Sequence, residues 1–157
     1  MGTIMFEAMA YLHLLAIAIL VGKVVFLSFI VAPVLAQTLE ADSFARVVRM
    51  LFPRYYAVGM VAAVIGWSTI TVIGILKDFG PTDLISSTLW LSILAIENYC
   101  RTSLTPKIND LSDQLKEAEQ KGIKIVSTHK NRETLHRLSV QLNSVVLIMG
   151  LCLIRLI

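Results

Sequence analysis

Apolar residues gather in four blocks along the chain, at residues 8–36, 55–76, 85–105 and 138–157, and most polar residues fall between them. Each block reaches the ~20 residues with which an α-helix crosses ~30 Å of hydrocarbon. None alternates with the period of two that a membrane barrel strand shows. The pattern predicts an all-α protein: an integral membrane four-helix bundle, one domain over residues 1–157, with amphipathic helical connections on the cytoplasmic side.

The connections carry their own periodicity. In "LEADSFARVVRMLFPRYY", Phe44, Val47, Val48 and Leu51 recur at helical spacing, which predicts an interfacial helix capped by Asp42 or Ser43. Pro53 then fits the first turn of the second span. In "TPKINDLSDQLKEAEQKG", Pro106 opens a polar helix with Ile108, Leu111 and Leu115 on one side, and Gly122 is placed to end it. "STHKNRETLHR" starts a further helix, with Ser127 or Thr128 as cap, that runs into the fourth span.

Composition agrees with a bilayer solvent. The 157 residues are 56% hydrophobic and 16% charged, where soluble domains run near 45–50% and about 25%. The first apolar run is longer than the ~7–15 residues of a signal peptide and no basic region precedes it, so it is expected to be a retained span. Arg46, Arg49 and Arg54 lie between the first two spans, and the stretch from 101 to 137 carries Arg101, Lys107, Lys116, Lys121, Lys124, Lys130, Arg132 and Arg137. The other side has only Lys77 and Arg155. The positive-inside rule then puts both basic connections in the cytoplasm and both termini outside. The net charge of +3 belongs to loops that meet lipid headgroups. With no aromatic-interleaved basic patch, no nucleic-acid partner is expected.

Two residues stand out inside "HLLAIAILVGKVVFLSFIVAP". Lys23 lies about fifteen residues into the first span, roughly 20 Å deep at ~1.5 Å per residue. A charge there snorkels to the headgroups or finds a partner. Glu97 in the third span sits at similar depth, Asn98 and Arg101 follow it, and the fourth span contributes Asn143. The spacing predicts a buried polar layer of Lys23, Glu97, Asn98, Arg101 and Asn143, which either holds the bundle in register or lines a route for an ion or solute.

His13 is the second. Met9 and Met5 precede it by four and eight residues on one helical face, and Met149 of the fourth span reaches a similar level. Histidine with thioethers suits Cu(I), or haem iron. The plainer alternative is that the methionines fill gaps and His13 hydrogen-bonds to a neighbouring helix. His129 reads as a solvent-facing residue, and His136 begins the buried part of the fourth span. Cys100 and Cys152 are expected near opposite faces, too far apart for a disulfide. No phosphate-binding loop, H-E-x-x-H or cysteine pair at ligand spacing occurs. In the second span, Gly59 with Ala63 and Ala62 with Gly66 are small-xxx-small pairs, a pattern that favours a compact bundle or a homodimer.

The stretches "HLLAIAILVGKVVFLSFIVAP", "RMLFPRYY", "RTSLTPKIN" and "LHRLSVQLNSVVLIMGL" touch all four spans. On them the chain resembles a bacterial family of unknown function related to transmembrane protein 205. More distantly it is similar to copper-resistance protein D and to the small membrane protoporphyrinogen oxidases. The resemblance implies a four-span bundle in a bacterial inner membrane. In the distant relatives a first-span histidine is linked to haem, and His13 matches that position; their further motifs are not matched, which leaves the second axial ligand open. Two expectations follow. One is a b-type haem protein doing redox or small-gas chemistry, with His13 as axial ligand, Met149, a second copy's His13 or nothing as the second ligand, and Met9 beside the cofactor, served by a redox partner the sequence does not name. The other is a transporter or exporter for copper, held by His13, Met5 and Met9, or for a small solute, with Lys23, Glu97 and Arg101 along the route.

Overall fold

The computed structural model describes residues 2–123 and 125–156, and every element among them is helical. Lys124, counted among the loop cations, and Ile157, the end of the fourth block, lie outside the described residues. The elements are α1 (Gly2–Phe26), α2 (Ala32–Thr38), α3 (Ala41–Lys77), α4 (Pro81–Tyr99), α5 (Thr105–Gln120) and α6 (Val126–Arg155). A π-helical turn, Leu27–Val31, joins α1 to α2 without a break, and another, Cys100–Leu104, joins α4 to α5.

Three helices are long and apolar enough to cross a membrane: Gly2–Thr38, Ala41–Lys77 and Val126–Arg155. The third expected span is not among them. Ser86, Ser87, Thr88, Ser92, Glu97 and Asn98 dilute its hydropathy. Several of these are turned inward: Ser86, Ser87 and Glu97 are buried.

α1 packs along α3, α3 along α4, and α6 closes against α1 and α4. The contacts fix the directions. His13 meets Gly66 while Lys23 lies by Gly59, so α1 and α3 are antiparallel; Trp90 meets Gly66 while Glu97 meets Gly59, so α3 and α4 are antiparallel too. α1 and α4 therefore run the same way. The core between them holds Ile17, Leu20 and Val24 of α1, Tyr56, Ala62 and Ala63 of α3, Trp90 and Ile93 of α4, and Val146 and Leu153 of α6. Outward faces remain apolar: Phe29, Val61, Ile75, Leu84 and Ile148 are exposed. In water such a surface drives association, whereas hydrocarbon tails solvate it.

Gly59, Ala62, Ala63 and Gly66 are all buried within the single chain. A methyl on Gly66 would overlap the Trp90 ring, and one on Gly59 would overlap the Lys23 and Glu97 side chains. The small-residue pattern that the sequence offers for a dimer contact is used here for close packing inside one chain.

Three local expectations are corrected. The interfacial helix and the second span form one helix, Ala41–Lys77, with Pro53 in its interior. A proline inside a helix removes one hydrogen bond, but Phe52, Tyr55 and Tyr56 stack on one another on either side of it and hold the axis through. Neither Asp42 nor Ser43 caps that helix, whose N-cap is Glu40, and neither Ser127 nor Thr128 caps α6, which starts after Ile125. Gly122, by contrast, sits at φ 71° just past α5, a conformation that favours glycine.

Both π-helical turns precede a proline. The amide of Ala32 donates to the Leu27 carbonyl, and that of Thr105 to the Cys100 carbonyl, each reaching back five residues. Pro33 and Pro106 come next. A proline ring collides with the carbonyl four residues before it, here that of Phe29 or Thr102. The wider turn moves that carbonyl aside, so the helix passes the proline unbroken.

At the other end of the bundle, Asp78 takes a positive φ of 66° to reverse the chain between α3 and α4. Phe79 folds onto Gly74, and Asp83 accepts the Gly80 amide at 2.9 Å and pairs with Lys77 at 3.1 Å.

Candidate functional site

The Lys23 ammonium donates to Glu97 Oε1 at 2.6 Å, and both side chains are buried, 8% and 1% exposed. The pair sits where α1, α3 and α4 converge, over the gap left by Gly59. Taking two charges out of water is costly, and their attraction compensates only if the remaining lone pairs are also bonded. Here Glu97 Oε2 is buried without a hydrogen-bond partner.

Aromatic rings complete the surroundings of Lys23. Its Nζ stands 3.9 Å from the Tyr55 ring centroid and 5.8 Å from that of Tyr56. The closer contact is a cation–π interaction on a desolvated ammonium. The tyrosine hydroxyls extend the polar cluster to α6. Tyr55 donates to Asn143 Oδ1 at 2.9 Å, Asn143 Nδ2 donates to the Tyr56 hydroxyl at 3.3 Å and to the Ser139 carbonyl at 3.0 Å, and the Tyr56 and Ser139 hydroxyls meet at 3.0 Å. Cys100, one turn beyond Glu97, is buried beside Tyr56.

Of the residues expected in the polar layer, Lys23 and Glu97 touch and Asn143 joins them through Tyr55. Asn98 and Arg101 do not belong to it. Both are exposed. Asn98 lies one residue past Glu97, about 100° round the helix, and Arg101, on the π-helical turn, forms no ion pair among the described residues. Tyr55, Tyr56, Ser139 and Gly59 were not anticipated, although "RYY" directly after Pro53, and Ser139 four residues before Asn143, put their polar groups on the inner faces.

His13 lies about ten residues before Lys23 on the same helix and is 4% exposed. The Thr69 hydroxyl donates to the Gly66 carbonyl at 2.9 Å. His13 Nδ1 approaches that carbonyl at 3.1 Å and the Thr69 oxygen at 3.0 Å. Both are acceptors toward it, so Nδ1 carries the proton and Nε2 keeps its lone pair. The Trp90 ring meets the imidazole edge-on, centroids 5.7 Å apart. Met9 and Met149 are half-buried against the core, and Met5 is exposed. Among the described residues no three His, Cys, Asp or Glu side chains converge as a metal site. An apolar groove of about 310 Å³ runs between α1 and α3, lined by Leu12, Leu15, Ala16, Val58, Val61 and their neighbours but not by His13. His129 and His136 are exposed, and Cys100 and Cys152 are free thiols, the first buried and the second exposed.

On the basic side, Arg49 holds Asp113 with two hydrogen bonds, at 2.6 and 3.1 Å, and Lys116 holds Asp42 at 2.9 Å. These exposed pairs tie α5 to the start of α3.

Comparison with curated proteins and with solved structures returned no match. Residues 15–117, which carry Lys23, Gly59, Tyr55, Tyr56 and Glu97, match the family described as domain of unknown function (DUF4149), and over that majority of its length the chain belongs to this family.

Proposed function

We propose that the protein is a four-span membrane transporter whose buried polar cluster forms the central part of a route for a small solute or ion. The fourth crossing is Pro81–Leu104, which packs between the apolar helices and brings Glu97 to the level of Lys23. Both termini lie outside, and the α2–α3 and α5–α6 segments, with their arginines and lysines, lie in the cytoplasm of a bacterial inner membrane. One observation carries the reading: a lysine and a carboxylate, both buried among otherwise apolar helices, with a carboxylate oxygen left free. Ionisable groups at that depth mark pathways more often than scaffolds. Flux is the test. Proteoliposomes carrying the wild-type chain should release entrapped Cu(I) or one of a panel of small organic ions faster than those carrying Glu97→Gln. Equal rates for every solute, with both proteins inserted, overturn the reading.

A second reading is a b-type haem protein, and its support is the proton on His13 Nδ1. Metal-bound histidines characteristically give that N–H to a carbonyl and present the other nitrogen to the metal, and His13 does so toward Gly66. His13 Nε2 would hold the iron, with Met149 or Met9 as the nearest thioether candidates. The haem would supply one-electron chemistry. The absorption spectrum of the purified protein separates the two readings: a Soret band that shifts on dithionite reduction belongs to the haem protein alone.

A further inference from the structure

We infer that Glu97 is a proton-binding site, and that proton uptake there leaves the Lys23 ammonium held chiefly by the face of Tyr55. This rests on the transport reading and names the proton as the ion coupled to it.

Three features of the geometry lead here. First, Glu97 is held by one oxygen only. Oε1 receives the Lys23 ammonium, while Oε2 is buried and unpartnered. A pair built solely for stability would bond both oxygens, since an unmet carboxylate oxygen away from water is costly. A proton on Oε2 removes that cost. Second, Lys23 already has another seat. While bonded to Glu97, the ammonium lies 3.9 Å from the Tyr55 centroid, with Tyr56 beyond at 5.8 Å, and an aromatic face holds a cation without a counter-charge. Third, a widened turn follows each member of the pair. Lys23 lies four residues before the turn Leu27–Val31, and Glu97 three before Cys100–Leu104. π-helical turns recur at functional sites.

The step balances simply. A hydronium ion gives its proton to an Oε2 lone pair and leaves as water, the Lys23–Oε1 ion pair is reduced to a hydrogen bond on a neutral acid, lysine keeps its own protons, and the charge of the site rises from zero to +1. The other groups around Glu97 leave the titration to it. α1 supplies Lys23. α3 supplies Tyr55 and Tyr56, whose hydroxyls are engaged with Asn143 and Ser139. The turn after α4 supplies the Cys100 thiol, and α6 only the neutral Asn143 and Ser139. Arg101 faces away, exposed.

Dicyclohexylcarbodiimide, which partitions into bilayers and reacts with protonated carboxyls, is the probe. Wild-type protein in liposomes should be labelled at Glu97, read by peptide mass spectrometry, with a rate that falls toward tenfold per pH unit above the midpoint. Lys23→Met should make labelling fast and flat with pH. Tyr55→Leu, which removes the alternative seat of the ammonium, should slow it several-fold at neutral pH. Absence of label at Glu97 from pH 5.5 to 8.5, when the same protein unfolded in detergent is labelled there, overturns the inference, as does a pH-independent rate in the wild type. Should Lys23→Met fail to fold, the wild-type pH series decides alone. Solute flux without carbodiimide labelling would leave the transport reading standing and remove only the proton.

Discussion

Glu97 on α4 seats its carboxyl directly over Gly59 on α3, at a spot where any side-chain carbon would overlap it. One heptad later on α3 and one earlier on α4, Trp90 sits on Gly66 in the same way. The α3–α4 contact is thus two large side chains set into two glycine gaps, and one of the two is charged.

Gly59→Ala is therefore expected to push the Lys23–Glu97 pair aside. Overpacking of a filled interior costs about 1–3 kcal/mol, and here it also separates charges. The thermal midpoint in detergent should fall for Gly59→Ala and for Gly66→Ala. Only the first should also alter carbodiimide labelling of Glu97.

The pair itself calls for a double-mutant cycle. Removing one member of a buried ion pair costs about 3–5 kcal/mol. Lys23→Met should destabilise toward that scale and Glu97→Gln by less, because the Tyr55 face still holds the ammonium, and the double variant should recover at least about 1 kcal/mol of the sum. Strict additivity in chemical unfolding would mean that the two side chains act independently.

Topology is open to labelling. Lys121→Cys, in a chain with Cys100→Ala and Cys152→Ser, should resist an impermeant maleimide in intact cells and react once the membrane is opened. Reaction from outside would reverse the proposed orientation.

His13 is expected to matter for packing whatever it binds. Thr69→Val and His13→Ala each break hydrogen bonds between α1 and α3 and should each lower stability by about 1–3 kcal/mol. If haem b sits on Nε2, His13→Ala also loses the Soret band of the wild type, and His129→Ala, exposed near the α5–α6 turn, keeps it.

Arg49 and Asp113 give a pH dependence outside the spans. The hydrogen bond from Arg49, with desolvation opposing it slightly, holds the Asp113 carboxyl below the usual aspartate range. Its contribution is complete above the unfolded value of ~3.9 and disappears as pH falls through the lowered native value. A spin-label distance between Arg46→Cys and Gln114→Cys should stay level from pH 6 to 8 and broaden only below about pH 4. Salt should loosen it as well, since both partners are exposed.

The helices were legible from the apolar blocks because membrane spans advertise themselves by length. Lys23 and Glu97 were legible for the same reason, each being an interruption in apolar sequence. Asn98 and Arg101 misled because their neighbours in sequence suggested one level of the bundle, while the helix angle turned them outward. Tyr55 and Tyr56 escaped notice because a tyrosine near a membrane surface usually means an interfacial anchor, and only the fold shows their rings beneath the ammonium. The span through Pro33 was legible as continuous, whereas Pro53 and Pro106 read as helix starts because proline favours a first turn, and a hydrophobic period does not register the unbroken run through either.

A π-helical turn is an α-helix carrying one residue too many. In this chain that surplus falls between each buried charge and the segment that follows it. Deleting one residue from Leu27–Val31 would take away the room that the turn gives the Pro33 ring and turn everything beyond by about 100°, so that α2 would present a different face to α3. The same deletion within Cys100–Leu104 would swing Asp113 and Lys116 away from Arg49 and Asp42. A change of length at either turn would therefore re-aim α2 or α5 while leaving Lys23 and Glu97 where they stand.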